Sequence, residues 1–219
     1  MMSLDSSRPE KPAARVDRKL IPGQSTRFKK QIEFVLEIDR LKHVLRQNVL
    51  LDQSRRENST EHSWHIALMV MLFAEYSQGK NIDLLQVMKM LLVHDLVEID
   101  AGDTYCYDDE GRQDQSERET AAADRIFGLL PDDQAAELRA LWNDFESRQT
   151  PESKFANALD RVQPLLHNYF TDGLTWQANN IKSYQVHDRM RPVKDGAPDL
   201  WDYVSALIED AVAKGFLAK

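Results

Sequence analysis

His94 and Asp95 stand at the end of an apolar run, Leu91, Leu92 and Val93, and Glu98 follows them by four and three residues. At about 100° per residue these spacings put an imidazole and two carboxylates on one helix face. Crowded there, they repel or lose solvation unless something positive lies among them. A divalent cation meets that need, and His with Asp is an ordinary ligand mixture for Zn, Mn, Fe or Co. A His–Asp pair alone is also what any amphipathic helix carries as it emerges into solvent. Two further residues sharpen the reading. His62 opens a strongly apolar segment within EHSWH, and Asp160 interrupts the series Phe155, Ala156, Leu159 and Val162. An acid among apolar neighbours needs a partner. Adjacent Arg161 is the bland one, but consecutive residues on a helix do not face each other.

The order His, then His-Asp, then a distant Asp, each in a separate helical segment, resembles the HD superfamily of phosphohydrolases. The resemblance runs from about residue 28 to 175 and rests on EHSWH, HDLVEIDAGD, and ALDRVQP after TPESKFA. It is nearest to the small HD proteins related to bacterial 5′-deoxynucleotidases. It implies an all-α HD-domain helical bundle, with His62, His94, Asp95 and Asp160 holding one divalent ion (Mn, Co, Zn, Fe, Ni or Mg). It also implies that Glu98 and Asp103 are acids acting around the attacked phosphate. The physical logic agrees, since a metal lowers the pKa of bound water and a nearby carboxylate can accept or position its proton.

Phosphate needs a cation besides the metal. Arg40, Lys42, Arg46, Arg55 and Arg56 precede EHS with only Asp52 to offset them, and otherwise read as a solvated helix face. By the resemblance Arg46 matches the phosphate-orienting arginine of the deoxynucleotidases, with Asp103 and Thr104 as its companions at the substrate. A guanidinium fork suits two phosphate oxygens. Two departures bear on nucleotide preference: Gln47 where those enzymes carry an aromatic residue, and the different loop TYCYDDEGR. The expected activity is metal-dependent hydrolysis of a phosphomonoester, a nucleoside 5′-monophosphate in the first place, by metal-activated water. The alternatives are a phosphodiesterase or signalling-nucleotide hydrolase, and a metal-stabilised nucleotide-binding module without turnover.

Other candidates carry less. His65, three residues beyond His62, could support the ligands or replace one. His43, His167 and His187 read as ordinary polar or core positions, and the four Trp residues as packing. Cys106 has no neighbouring His to activate it as a thiolate, and as the single cysteine it excludes a disulfide and a thiolate zinc site.

These residues need elements to hold them. Phe28, Ile32, Val35, Ile38, Leu41 and Leu45 predict a helix over FKKQIEFVLEIDRLKHVLR. EHSWHIALMVMLFAEYS is too apolar for a surface helix and is expected centrally. Asp83 caps a third helix that Gly102 stops. DTYCYDDEGRQDQ is expected as a mobile loop. Further helices are predicted over SERETAAADRIFGLL, up to Pro131, and over DDQAAELRALWNDFESR. Another opens at Thr150-Pro151-Glu152, and the last covers DLWDYVSALIEDAVAKGF. No strand-like alternation is evident. Residues 1–25 read as a mobile arm and 26–219 as one HD-type helical domain.

The chain of 219 residues is 42% hydrophobic and 29% charged, an ordinary globular balance. Its formal charge of −8 lacks the basic footprint of a nucleic-acid binder, so attraction for an anion must be local. No apolar run is long enough for a membrane span, and the start lacks the apolar core of a secretory signal. A cytoplasmic location follows as the expectation. A homodimer is a further one: the stripe Leu200, Val204, Leu207, Ile208 and Val212 either forms a two-fold contact or covers the protein's own core.

Overall fold

The computed structural model describes residues 23–79 and 81–219. The proposed arm therefore lies almost wholly outside the described residues. The first helix, α1 (Thr26–Ile38), opens at Ser25, whose hydroxyl accepts from the Phe28 N–H. It stops well before the expected end. A 3-10 turn over Asp39–His43 leads into strand β1 (Leu45–Val49), which pairs antiparallel with β2 (Arg56–Asn58). The expectation of one helix through Leu45 is corrected. Apolar steps of three and four fit a tight turn as well as a helix, and five residues are too few to show alternation.

Asn58 ends β2 and begins α2 (Ser59–Phe73). Its side chain accepts from the Glu61 N–H, and Glu61 reaches back to the Asn58 N–H, a reciprocal cap. His62 thus sits in the first turn. The apolar sequence of α2 has little sidedness, and the structure buries Ile66, Met69 and Val70 but leaves Trp64, Met71 and Leu72 more than half exposed. Trp64 is therefore not packing, and α2 is central on one side only.

Asp83 caps α3 (Leu84–Val93) as expected, accepting from the Gln86 N–H. The helix then tightens: His94–Val97 is a 3-10 turn and α4 (Glu98–Ala101) is a single turn, ended by Gly102 at φ 75°. That angle favours glycine. After the loop 102–114 come α5 (Gln115–Phe127) and α6 (Asp132–Ser147), separated at Pro131. Helix α7 (Pro151–Phe170) carries the expected Thr150 cap and first-turn proline, with Pro164 in its interior. Three more follow: α8 (Leu174–Ala178), α9 (Ser183–Gly196) and α10 (Pro198–Lys214). The bundle is thus helical apart from one small two-stranded ribbon.

Helix α7 is the axis of the bundle, packed by α9, α3, α2 and α6. Phe155, Ala156, Ala158 and Leu159 are wholly buried along it. Where α9 meets α7, the Lys154 carbonyl leaves no room for a Cβ on Gly196. Val204, Leu207 and Ile208 of α10 are buried and Leu200 and Val212 pack beside them, so the C-terminal stripe covers the protein's own core. A two-fold contact through that face is not available. No helix among the described residues is long and apolar enough to cross a membrane.

Candidate metal centre and its pocket

Three elements meet at one point. His62 from α2, His94 from the 3-10 turn and Asp160 from α7 offer ligand atoms that lie within 4.8 Å of one another, all in the buried interior. His62 Nε2 is 3.0 Å from Asp160 Oδ1, and His94 Nε2 is 3.7 Å from the same oxygen. Asp95 joins the group through His94, its Oδ1 lying 2.9 Å from His94 Nε2. The structure therefore brings the four expected ligands together, although His94 and Asp95 sit in a 3-10 turn and not on a regular α-helix.

The tautomers explain what the point can hold. His94 Nδ1–H donates to the Leu91 carbonyl at 2.8 Å, which a carbonyl can only accept. Nε2 then carries a lone pair. It is buried and makes no well-formed hydrogen bond, yet it faces carboxylate oxygens of Asp95 and Asp160. A lone pair turned on two carboxylates is repulsive unless a positive species lies between them, a metal cation or, in its place, a proton on Nε2. The titration behaviour has the same origin. Burial opposes a charge on His94, but Asp95 and the contact with Asp160 outweigh it and push its pKa well above the ordinary value. Burial likewise opposes ionisation of Asp160, and the two imidazoles outweigh it and hold that pKa well below the carboxylate range. The donor set of two imidazoles and two carboxylates fits a divalent cation.

His62 is aimed from behind. Its Nδ1–H donates to Gln163 Oε1 at 2.9 Å, leaving Nε2 for the ligand position. The amide of Gln163 is oriented in turn, because Nε2 donates to Glu57 Oε1 at 2.7 Å and lies 3.1 Å from His167 Nε2 and 3.4 Å from His65 Nδ1. Glu57, His65 and His167 also converge within 4.8 Å, but the Gln163 amide nitrogen occupies the place where their donors meet. His65 is thus a remote support and does not join the ligand group. Burial raises the Glu57 pKa to about 7 and lowers that of His167 to about 4.

The ligand point opens into a pocket of about 150 Å³. Glu98 lines it, buried, with Oε2 accepting from Ser59 Oγ at 2.6 Å. Burial, then Asp95 and Asp103, push the Glu98 pKa well above the carboxylate range. Asp103 lies just beyond Gly102 and is 4.0 Å from Arg46. Thr104 lines the pocket and its Oγ1 accepts from Arg118 at 3.2 Å. Arg46 projects from β1, not from a helix. Its Nη1 donates to Asp95 Oδ2 at 2.9 Å, and its Nε is 3.9 Å from Glu57. Burial opposes its charge, but Asp95, Asp103, Glu98 and Asp160 together keep the guanidinium firmly ionised. Arg40 and Arg55 are instead paired elsewhere, with Glu37 and Glu61 respectively.

Several pocket residues carried no signal in the sequence. Arg161 does approach Asp160, Nη1 to Oδ2 at 3.4 Å, against the expectation that neighbours on a helix stay apart. Trp176, Glu146, Arg148 and Arg189 also line the pocket. Cys106 lies at the rim, where burial raises its pKa, in keeping with a thiol that is no nucleophile.

The comparisons with known proteins agree with this geometry. The 5′-deoxynucleotidase HDDC2 of Xenopus laevis is 26% identical over 187 residues, spanning 85% of this chain and 90% of that protein. The namesake of Danio rerio is 26% identical over 71% of this chain and 76% of its own length. The crystal structure of a predicted metal-dependent phosphohydrolase from Magnetospirillum magnetotacticum MS-1 superposes with a TM-score of 0.84. It is 49% identical, covering 89% of this chain and all of that one. The model of the HD domain matches residues 38–201. With well over half of its length matched, the chain belongs to the HD domain family.

Proposed function

We propose that this protein is a metal-dependent phosphohydrolase that releases phosphate from nucleoside 5′-monophosphates. The observation that carries the reading is the buried His94 Nε2, whose lone pair faces the carboxylates of Asp95 and Asp160 at the floor of an open pocket. His62, His94, Asp95 and Asp160 would hold one divalent cation, whose metal the substrate panel below identifies. Bound there, it supplies a Lewis acid for the phosphoryl oxygens and lowers the pKa of water. Glu98 is held at Oε2 by Ser59, and its other oxygen would take the proton of the attacking water once a bound cation offsets the charges of Asp95 and Asp103 that raise its pKa. A carboxylate kept beside the ligands in this way supports turnover over mere binding. Arg46 keeps Asp95 in place and offers its remaining N–H groups to the phosphate. Asp103, with Thr104 beside it, is the acid we assign to protonating the leaving oxygen.

The nucleotide as substrate is supported by the relatives named 5′-deoxynucleotidase. The deciding experiment is phosphate release from a panel of mono-, di- and cyclic nucleotides with Mn, Co, Zn, Mg and Ni in turn. Release from 5′-monophosphates alone is expected. Cleavage confined to diesters, or none with any metal, would sink the reading. A homodimer would use a face other than the inward-packed stripe of α10. The exposed apolar side of α2 (Trp64, Met71, Leu72) is the face we assign to it. Light scattering should then give twice 25.3 kDa, and a Leu72→Asp variant the single mass.

A further inference from the structure

The pocket holds three arginines besides Arg46, and the reaction outlined above makes no use of them. Arg148 closes the C-terminal end of α6, Arg161 follows Asp160 on α7, and Arg189 comes from α9. All three line the pocket. Arg161 is held rigidly, its Nη1 donating to the Asn157 carbonyl at 2.8 Å and to Asn157 Oδ1 at 2.9 Å. It is 3% exposed, and its Nε is buried without a partner. Its one carboxylate neighbour within ion-pair distance is Asp160, already committed to the ligand group. Among the described residues, Arg148 and Arg189 have no carboxylate within 4.0 Å. Glu146 is the other acid on this wall.

Solvated arginines on a helix face need no explanation. A buried one does, because a guanidinium withdrawn from water requires hydrogen-bond acceptors and countercharge. Three guanidiniums from three helices, converging on one wall with a buried N–H unused, form a receptor for an anion with several oxygens. We propose that Arg148, Arg161 and Arg189 form a second anion subsite, and that the preferred substrate is a phosphomonoester bearing a second phosphate, such as a nucleoside bisphosphate. The scissile phosphate lies at the metal ligands and Arg46, and the second phosphate on the arginine wall. This inference rests on the hydrolase reading given above.

The test compares a nucleoside 5′-monophosphate with the 3′,5′-bisphosphate of the same nucleoside, using metal-loaded protein. Phosphate release gives kcat and KM, and calorimetry gives binding of each nucleotide. The wild type should favour the bisphosphate, mainly in KM. A charge-assisted hydrogen bond to phosphate corresponds to roughly 10- to 100-fold. Arg189→Gln should therefore lower kcat/KM for the bisphosphate about 10-fold or more relative to the monophosphate. Arg148→Gln should act in the same direction by a smaller factor, and Arg46→Lys should lower both substrates alike. Unchanged metal content and Tm check that each variant is folded. Equal loss on both substrates in Arg189→Gln would overturn the proposal, because the wall would then hold the scissile phosphate. No preference in the wild type, or no effect in either variant, would overturn it as well and would leave the hydrolase intact. Tighter binding of the bisphosphate with no phosphate released from either nucleotide would support the subsite while refuting the hydrolase.

Discussion

Two clusters of imidazole and carboxylate stand back to back, joined by the His62–Gln163 hydrogen bond, and they differ in what fills the middle. On one side His62, His94, Asp95 and Asp160 meet at a point that opens to the pocket, with a lone pair on His94 Nε2 turned towards two acids. On the other, Glu57, His65 and His167 have the same residue types and similar spacing, but the amide nitrogen of Gln163 occupies their meeting point. Residue type and proximity alone would make both candidate cation sites. The hydrogen bonds separate them: the Gln163 amide already donates into the second cluster, whereas His94 Nε2 in the first has no hydrogen-bond partner.

The strongest way to break this comparison is to remove a ligand. His94→Ala and Asp160→Ala should each lose bound metal and activity together. Stoichiometric metal in either purified variant would refute the assignment. Glu98→Gln should keep its metal and lose turnover by roughly 10²–10⁴-fold, the usual scale of a general acid–base contribution. A smaller effect comes from the joint between the clusters. Gln163→Leu removes the acceptor of His62 Nδ1–H, and such supporting contacts typically contribute 10- to 100-fold in metal affinity. The metal dissociation constant, measured by competition with a chelator, should weaken by about that factor. An unchanged value would show that His62 needs no positioning from this side. The smallest effect belongs to His65→Ala. Lying 3.4 Å from Gln163 Nε2, His65 should alter metal affinity less than about 3-fold and leave one metal per chain. A drop from two metals to one would make the second cluster a cation site after all.

Most of the first cluster was legible in the sequence, because its signals are local. The caps at Asp83 and Thr150, the stop at Gly102 and an acid among apolar neighbours at Asp160 each act within a few residues. The second cluster was not legible. Glu57 and Gln163 are 106 residues apart, and neither is unusual in its own segment. The β1–β2 ribbon was missed for a related reason: strands of five and three residues are too short to display a period, so Arg46 was expected on a helix. Helix α9, polar and carrying Pro192, gave no clear apolar stripe, and with it Arg189 went unnoticed. Trp64 misled in the opposite direction, because burial was inferred from residue type on a helix apolar all round.

The two histidine ligands are aimed by different parts of the molecule. His94 is set by a main-chain carbonyl, that of Leu91, while His62 is set by a side chain, that of Gln163. A carbonyl is present whatever residue occupies position 91, so no point substitution there deletes the acceptor. Position 163 has no such protection: every substitution there rewrites what His62 meets. In a library randomised around this centre, inherited variation in metal preference should therefore concentrate at residue 163, with residue 91 free to drift for packing alone.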